Sequence, residues 1–115
     1  MIHSTFSIGH DGSVTMDMNG HAVREFGSDN AVCAAATMLA YTLWQSLQLL
    51  YENNRLLEKP DVRISSGLVH IFARPKEYSA GDVLMAFWVV QAGMFCLSKN
   101  YPNDVTLTTM DIPGS

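Results

Sequence analysis

Between Asn30 and Tyr51 the chain carries no charged residue, and that run constrains the fold more than any other feature. Val32, Ala36, Leu39, Leu43, Leu47 and Leu50 recur at three- and four-residue spacing, the period of one helix face. The spacing predicts a helix from about Ala31 to Asn53, capped by Asp29 or Asn30. About twenty apolar residues suffice to span a bilayer. Thr37, Thr42, Gln45, Ser46 and Gln48 interrupt this run, and a second uncharged run, Val83 to Ser98, is short for a span. Both are therefore expected to be helices buried in a core or a subunit interface, with no membrane involved.

Strand signals surround the helices. Ile2 to Ile8 and Val14 to Met18 alternate apolar and polar residues around Gly9-His10-Asp11-Gly12, which predicts an opening hairpin. Asn19 to Asn30 loses periodicity and reads as a loop. After Pro60, Val62 to Ser65 and Leu68 to Ala73 predict a second hairpin turning at Ser66-Gly67. Ser79 and Asp82 resemble a capping box for a second helix reaching about Lys99, and Asn100 to Asp104 ends it. Val105 to Met110 predicts a last strand. The order ββαββαβ implies an α/β (α+β) two-layer sandwich, a mixed sheet of about five strands with two long helices packed on it. A chain of 115 residues fits one domain, residues 1–115. So small a sheet cannot cover two helices apolar around most of their circumference. Tyr41, Trp44, Phe87 and Trp88 are thus expected at a subunit interface, in a homodimer.

Bulk properties exclude several functions. Seven Lys and Arg stand against eleven Asp and Glu, a net charge of -4, so no positive field exists to hold nucleic acid directly. Two cysteines among 48% hydrophobic residues do not make a disulfide framework. Met1 to Ile8 lacks the features of a signal peptide, so a reducing, cytoplasmic setting is expected.

Cys33 falls three or four residues after Asp29 and Asn30, in the first turn of the long helix by this count. Such a position stabilises a thiolate through the helix dipole and unpaired amides, although the apolar context from Val32 to Ala36 equally suits a buried structural cysteine. His21, in the preceding loop beside Gly20, is placed to return over the helix end and act as base, or else is an ordinary exposed histidine. The amides of Cys33 and Ala34 are candidate oxyanion donors. Asp29 and Asn30 are candidates to orient the imidazole, or simply to cap the helix. Cys96, between Phe95 and Leu97, reads as core. Met16, Met18, Met38, Met85 and Met94 read as core or pocket lining. His3, His10 and His70 stand singly, with no zinc-ligand spacing, and no metal or cofactor is expected. Phosphate-loop, nucleophile-elbow and metalloprotease motifs are missing from the sequence, which leaves Cys33 and His21 as its one coherent constellation.

Gly20-His21-Ala22, followed by Asn30-Ala31-Val32-Cys33-Ala34-Ala35 and Thr37, resembles the signature of the ribosomal-processing cysteine protease family. That signature is Gly-His-Ala, a loop, Asp-Ile-Val-Cys-Ala-Ala and a hydroxyl residue. The resemblance extends from the opening strand through the late helix and Tyr101-Pro102 to the closing strand. It implies a homodimeric bacterial endopeptidase that removes an N-terminal extension from a large-subunit ribosomal protein. It gives His21 and Cys33 the catalytic roles and sets Gly20 and Ala22 beside them. Ala22 to Ser28 would then be a mobile loop over the site. Asn30 stands where the family usually has Asp, with Asp29 one position earlier; an amide can orient an imidazole but cannot balance its cation. Arg24, Glu25 and Phe26 match no family position. A non-catalytic dimeric homologue, of phage or accessory origin, that binds a protein through the same cleft is the alternative.

Overall fold

A computed structural model gives the architecture and describes residues 1–20 and 29–109, with Asp29 and Asn30 as backbone only. Alternation of apolar and polar residues builds the opening hairpin: β1 (Ile2–Ile8) pairs antiparallel with β2 (Val14–Asn19), from Ile8 opposite Val14 to His3 opposite Asn19. Its turn is closed by the Gly9 amide donating to the Ser13 carbonyl at 2.8 Å. Hydrogen bonds from Ser13 hold the Asp11 carboxyl below the usual carboxylate range, and the Arg74 charge adds to this. After the long helix α1 (Asp29–Glu52) come β3 (Asp61–Ser65) and β4 (Leu68–Ala73), a short 3-10 turn (Glu77–Ser79), α2 (Ala80–Asn100) and β5 (Val105–Thr109).

The strands form one sheet in the order β3-β4-β2-β1-β5. All neighbours are antiparallel except β1 and β5, which run parallel. A parallel neighbour needs a crossover, and α2 supplies the return that lays β5 beside β1. Both helices cover the same face of the sheet, α2 over β5, β2 and β1 and α1 over β4, so the fold is the expected α+β sandwich with order ββαββαβ. The other sheet face carries polar side chains, where His70 Nδ1 lies 2.6 Å from Asp17 Oδ1 and His3 Nδ1 lies 2.8 Å from Thr106 Oγ1.

The core forms where the two apolar periods meet. Phe6, Val14, Met16, Met18, Val69 and Ile71 alternate inward from the strands. Val32, Ala36, Ala40, Leu43 and Leu47 of α1 and Val83, Phe87, Val90 and Met94 of α2 meet them. The helices approach closely at Gly93, where an added Cβ would stand 2.6 Å from Leu39 Cδ2.

Several expectations are corrected by this packing. Phe87 is 1% exposed and belongs to the core, not to an outer surface, because it shares the buried stripe of Val83, Val90 and Met94. Cys96 is exposed, since two residues past Met94 a helix has turned away from the sheet. Met38 and Met85 are likewise exposed, whereas Met16, Met18 and Met94 are buried. Ser79 makes no cap hydrogen bond; its buried hydroxyl donates to the Arg55 and Lys76 carbonyls, and Asp82 pairs with Arg55 at 3.6 Å instead. With its preceding turn, residues 77–100 are long and apolar enough by length and composition to cross a bilayer, contrary to the reading of Val83 to Ser98 as short. In the fold this length serves two faces, one in the core and one displaying Met85, Trp88, Val89 and Phe95.

Candidate active site

Asp29 and Asn30 are helical, so neither is the cap residue, and α1 starts two positions earlier than the spacing of its apolar face indicates. Cys33 is consequently the fifth residue of the helix and opens its second turn. The amides without an intrahelical partner belong to the first turn, ahead of both Cys33 and Ala34. This shifts the available donors away from the pair expected from sequence.

Cys33 is a free, half-buried thiol that packs against the core with one side and lines a cleft of about 430 Å³ with the other. One wall is α1, through Cys33, Ala36, Thr37 and Tyr41. The facing wall is the end of β2 and the β3–β4 hairpin, through Met18, Gly20 and residues 64–69, with Ile2 beneath. A small residue borders this space: Ala36 lines the cleft without filling it, while Ala40, Leu43 and Leu47 belong to the core further along the helix. Tyr41 stacks on Trp44 with ring centroids 5.8 Å apart, which stiffens the far end of the helical wall.

Gly20 fixes the rim. Its φ is +99°, and an added Cβ would stand 2.0 Å from the Met1 carbonyl oxygen, so only glycine fits. Its amide donates to the Gly67 carbonyl at 2.9 Å, tying the end of β2 to the turn that faces Cys33. His21 is the next residue in sequence. His21 and Ala22 lie outside the described residues, as do the side chains of Asp29 and Asn30. The structure therefore brings Cys33 and Gly20 to one cleft and leaves Ala34 exposed beside the thiol. Among the described residues no group of three or more His, Cys, Asp and Glu side chains converges as a metal site would require.

The β3–β4 turn was not expected as a cleft wall. From sequence, Ser66-Gly67 read only as a hairpin turn between strands ending at Ser65 and starting at Leu68, because what makes these four part of the site is the pairing of β4 with β2, a contact between residues about fifty positions apart.

Residues 1–106 match a family model described as cysteine protease Prp, and the free Cys33 thiol lining an open cleft is in keeping with that class. The chain belongs to the cysteine protease Prp family. Similar solved structures include an essential ribosomal processing protease Prp from S. aureus in complex with a substrate peptide. That chain is 19% identical with a TM-score of 0.66, over 96% of this chain and 100% of that one. The S. aureus protein with a covalently linked product peptide is 20% identical with a TM-score of 0.64, over the same shares. SMU.848 from Streptococcus mutans is 25% identical with a TM-score of 0.70, over 96% of this chain and 94% of that one. The S. aureus likenesses are likenesses of fold. Comparison with curated protein sequences returns no match.

Proposed function

We propose that this chain is a single-domain cytoplasmic endopeptidase that removes an N-terminal extension from a large-subunit ribosomal protein precursor, with Cys33 as nucleophile and His21 as general base. The observation that carries the reading is the free Cys33 thiol lining an open cleft in a member of a cysteine protease family. Support for the substrate comes from the fold shared with a ribosomal processing protease that binds a substrate peptide.

In the reaction His21 takes the thiol proton, and the Cys33 sulfur adds to the scissile carbonyl to form a tetrahedral oxyanion. Collapse breaks the C–N bond, His21 returns the proton to the leaving amine, and an acyl group remains on sulfur. Water, activated by the same imidazole, then releases the acid and restores the thiol. Asp29 or Asn30 orients His21, and Gly20, Ala22 and Ala34 flank the path of the substrate backbone. No cofactor enters any step.

The exposed apolar side of α2, with Met85, Trp88, Val89 and Phe95, and Tyr41 on α1 support a second copy of the chain as partner through the helical layer. A second reading rests on Asn30, which lacks the charge the family usually places there: a homologue that binds a protein without cutting it.

The deciding experiment incubates the protein with the ribosomal protein precursor and follows intact mass. Truncation by the wild type, with loss of at least about a thousandfold in rate for Cys33→Ala, is the expected result. Equal truncation by Cys33→Ala overturns the nucleophile assignment. Binding of the precursor without truncation by either protein favours the non-catalytic homologue.

A further inference from the structure

The sheet has two edges, and they differ in what lies beside them. β5 forms one edge and none of its residues lines the Cys33 cleft. β3 forms the other, and its residues Ile64 and Ser65 do line it. The cleft thus runs from the thiol to a strand that, among the described residues, pairs with β4 alone.

The direction of the β3 backbone groups follows from one hydrogen bond. The Gly20 amide donates to the Gly67 carbonyl, so residues 20 and 67 face each other as a bonded pair in the β2–β4 ladder. Bonding alternates along an antiparallel pair. Val69 and Ile71 therefore direct their backbone groups to β2, while Leu68 and His70 direct theirs to β3, bonding Ser65 and Arg63. The intervening residues, Ile64 and Val62, are left with amide and carbonyl pointing away from β4. Their side chains face inward and pack on the core. Register from Asp61 to Ser65 is unbroken, and neither proline nor bulge falls within these five residues, Pro60 standing just before them.

Lengths agree as well. From Cys33 to Tyr41 the α1 wall spans about 12 Å at the helical rise. Of β3, Ile64 and Ser65 line the cleft, and Val62 continues the same free edge about 7 Å beyond Ile64. Three or so extended residues fill such a groove.

The geometry points to substrate binding by strand addition: the polypeptide flanking the scissile bond lies in the groove as a sixth strand on β3, bonded to the backbone of Ile64 and Val62. The occupant is an extended, unfolded peptide segment, because the groove is continuous with the cleft that holds the thiol and its exposed recognition groups are main-chain donors and acceptors. This rests on the protease reading above. Its consequence is that a cleavage site inside folded structure is not accepted, since folded backbone has no free groups to pair with β3.

The test uses the full chain with Cys33→Ala, to prevent turnover, and a synthetic peptide spanning the N-terminal extension of the ribosomal protein precursor. Backbone hydrogen exchange is read by NMR. With saturating peptide the Val62 and Ile64 amides are expected to slow at least tenfold, while those of Arg63 and Ser65, already bonded to β4, stay within about twofold. Peptide binding with no protection at Val62 and Ile64 overturns strand addition. So does protection that exists without peptide and grows with protein concentration, which assigns the edge to a second copy. Cleavage by the wild type is scored separately: if it fails while the alternating protection appears, the edge site stands and the protease reading falls.

Discussion

The two helices are built from similar material and do different work, and their cysteines show the difference. Both are long and apolar on most sides. α2 faces the sheet with the buried stripe Val83, Phe87, Val90 and Met94, and its Cys96 is exposed. α1 carries a small residue, Ala36, beside Cys33, and both border the cleft. The Cys33 thiol borders open space beside the small Ala36, while Leu43 and Leu47 further along secure the burial of the helix. The lesson is that one helix can be divided along its length into a part that fills the core and a part that leaves space beside it.

The comparison is tested hardest by the cysteines themselves. Cys33→Ala is expected to cost at least about a thousandfold in precursor cleavage, and Cys96→Ser to stay within about twofold, measured as kcat/KM on the same substrate. If Cys96→Ser were the damaging change, the roles given to the two helices would be reversed. The next largest effect is on stability. Phe87→Ala should cost about 3–5 kcal/mol in urea unfolding, as large aromatic truncations in cores do. Trp88→Ala, one position on but 45% exposed, should cost below about 1 kcal/mol to the chain and weaken its self-association in sedimentation. Similar costs for both would mean that α2 has no distinct buried face.

What was legible in the sequence follows the same division. Local periodicity suffices to place Val32, Ala36, Leu43 and Leu47 on one face, and alternation suffices for the hairpins, because both patterns are set within a few residues. The order ββαββαβ is local in the same sense. Val83, Phe87, Val90 and Met94 repeat at three and four, so spacing also places Phe87 on the buried face, but a helix apolar around most of its circumference hides which side is which. The cleft was legible on one side only. Cys33 announces itself by motif, although it sits one turn further into α1 than its spacing indicates, whereas the Ser65–Leu68 wall depends on β4 lying next to β2, which no window of neighbouring residues encodes. Ser79 and Asp82 have the spacing of a cap, yet Arg55, distant in sequence, takes both the hydroxyl and the carboxylate. Tertiary partners overrode the local signal.

The rim of the cleft is a weaker lever than the core. Gly20→Ala places a methyl group against the Met1 carbonyl at a φ of +99°, and backbone cannot yield as a side-chain end can. A loss of about 2–3 kcal/mol is expected from the strained backbone and the displaced terminus. Because the same residue anchors β2 to the Gly67 turn, cleavage should fall along with stability. A stable Gly20→Ala protein with full activity would show that the rim does not shape the cleft.

The smallest effect lies at the seam between the helices, where two terms nearly cancel. Gly93 sits within α2, and alanine there gains about 0.8–1 kcal/mol of helix propensity. Its Cβ would meet Leu39 Cδ2 at 2.6 Å, Cδ1 at 3.1 Å and Cγ at 3.4 Å. Those atoms end a flexible side chain that is only partly buried, so Leu39 can turn aside at about 0.5–1.5 kcal/mol. Gly93→Ala should therefore change stability by less than about 1 kcal/mol in either direction, read as a shift of the urea midpoint. Gly93→Val, which cannot be relieved by one rotamer, should cost about 1–3 kcal/mol. A loss above about 2 kcal/mol for alanine would mean that Leu39 is held where it stands, and that the α1 wall of the cleft is set by the packing of α2 against it.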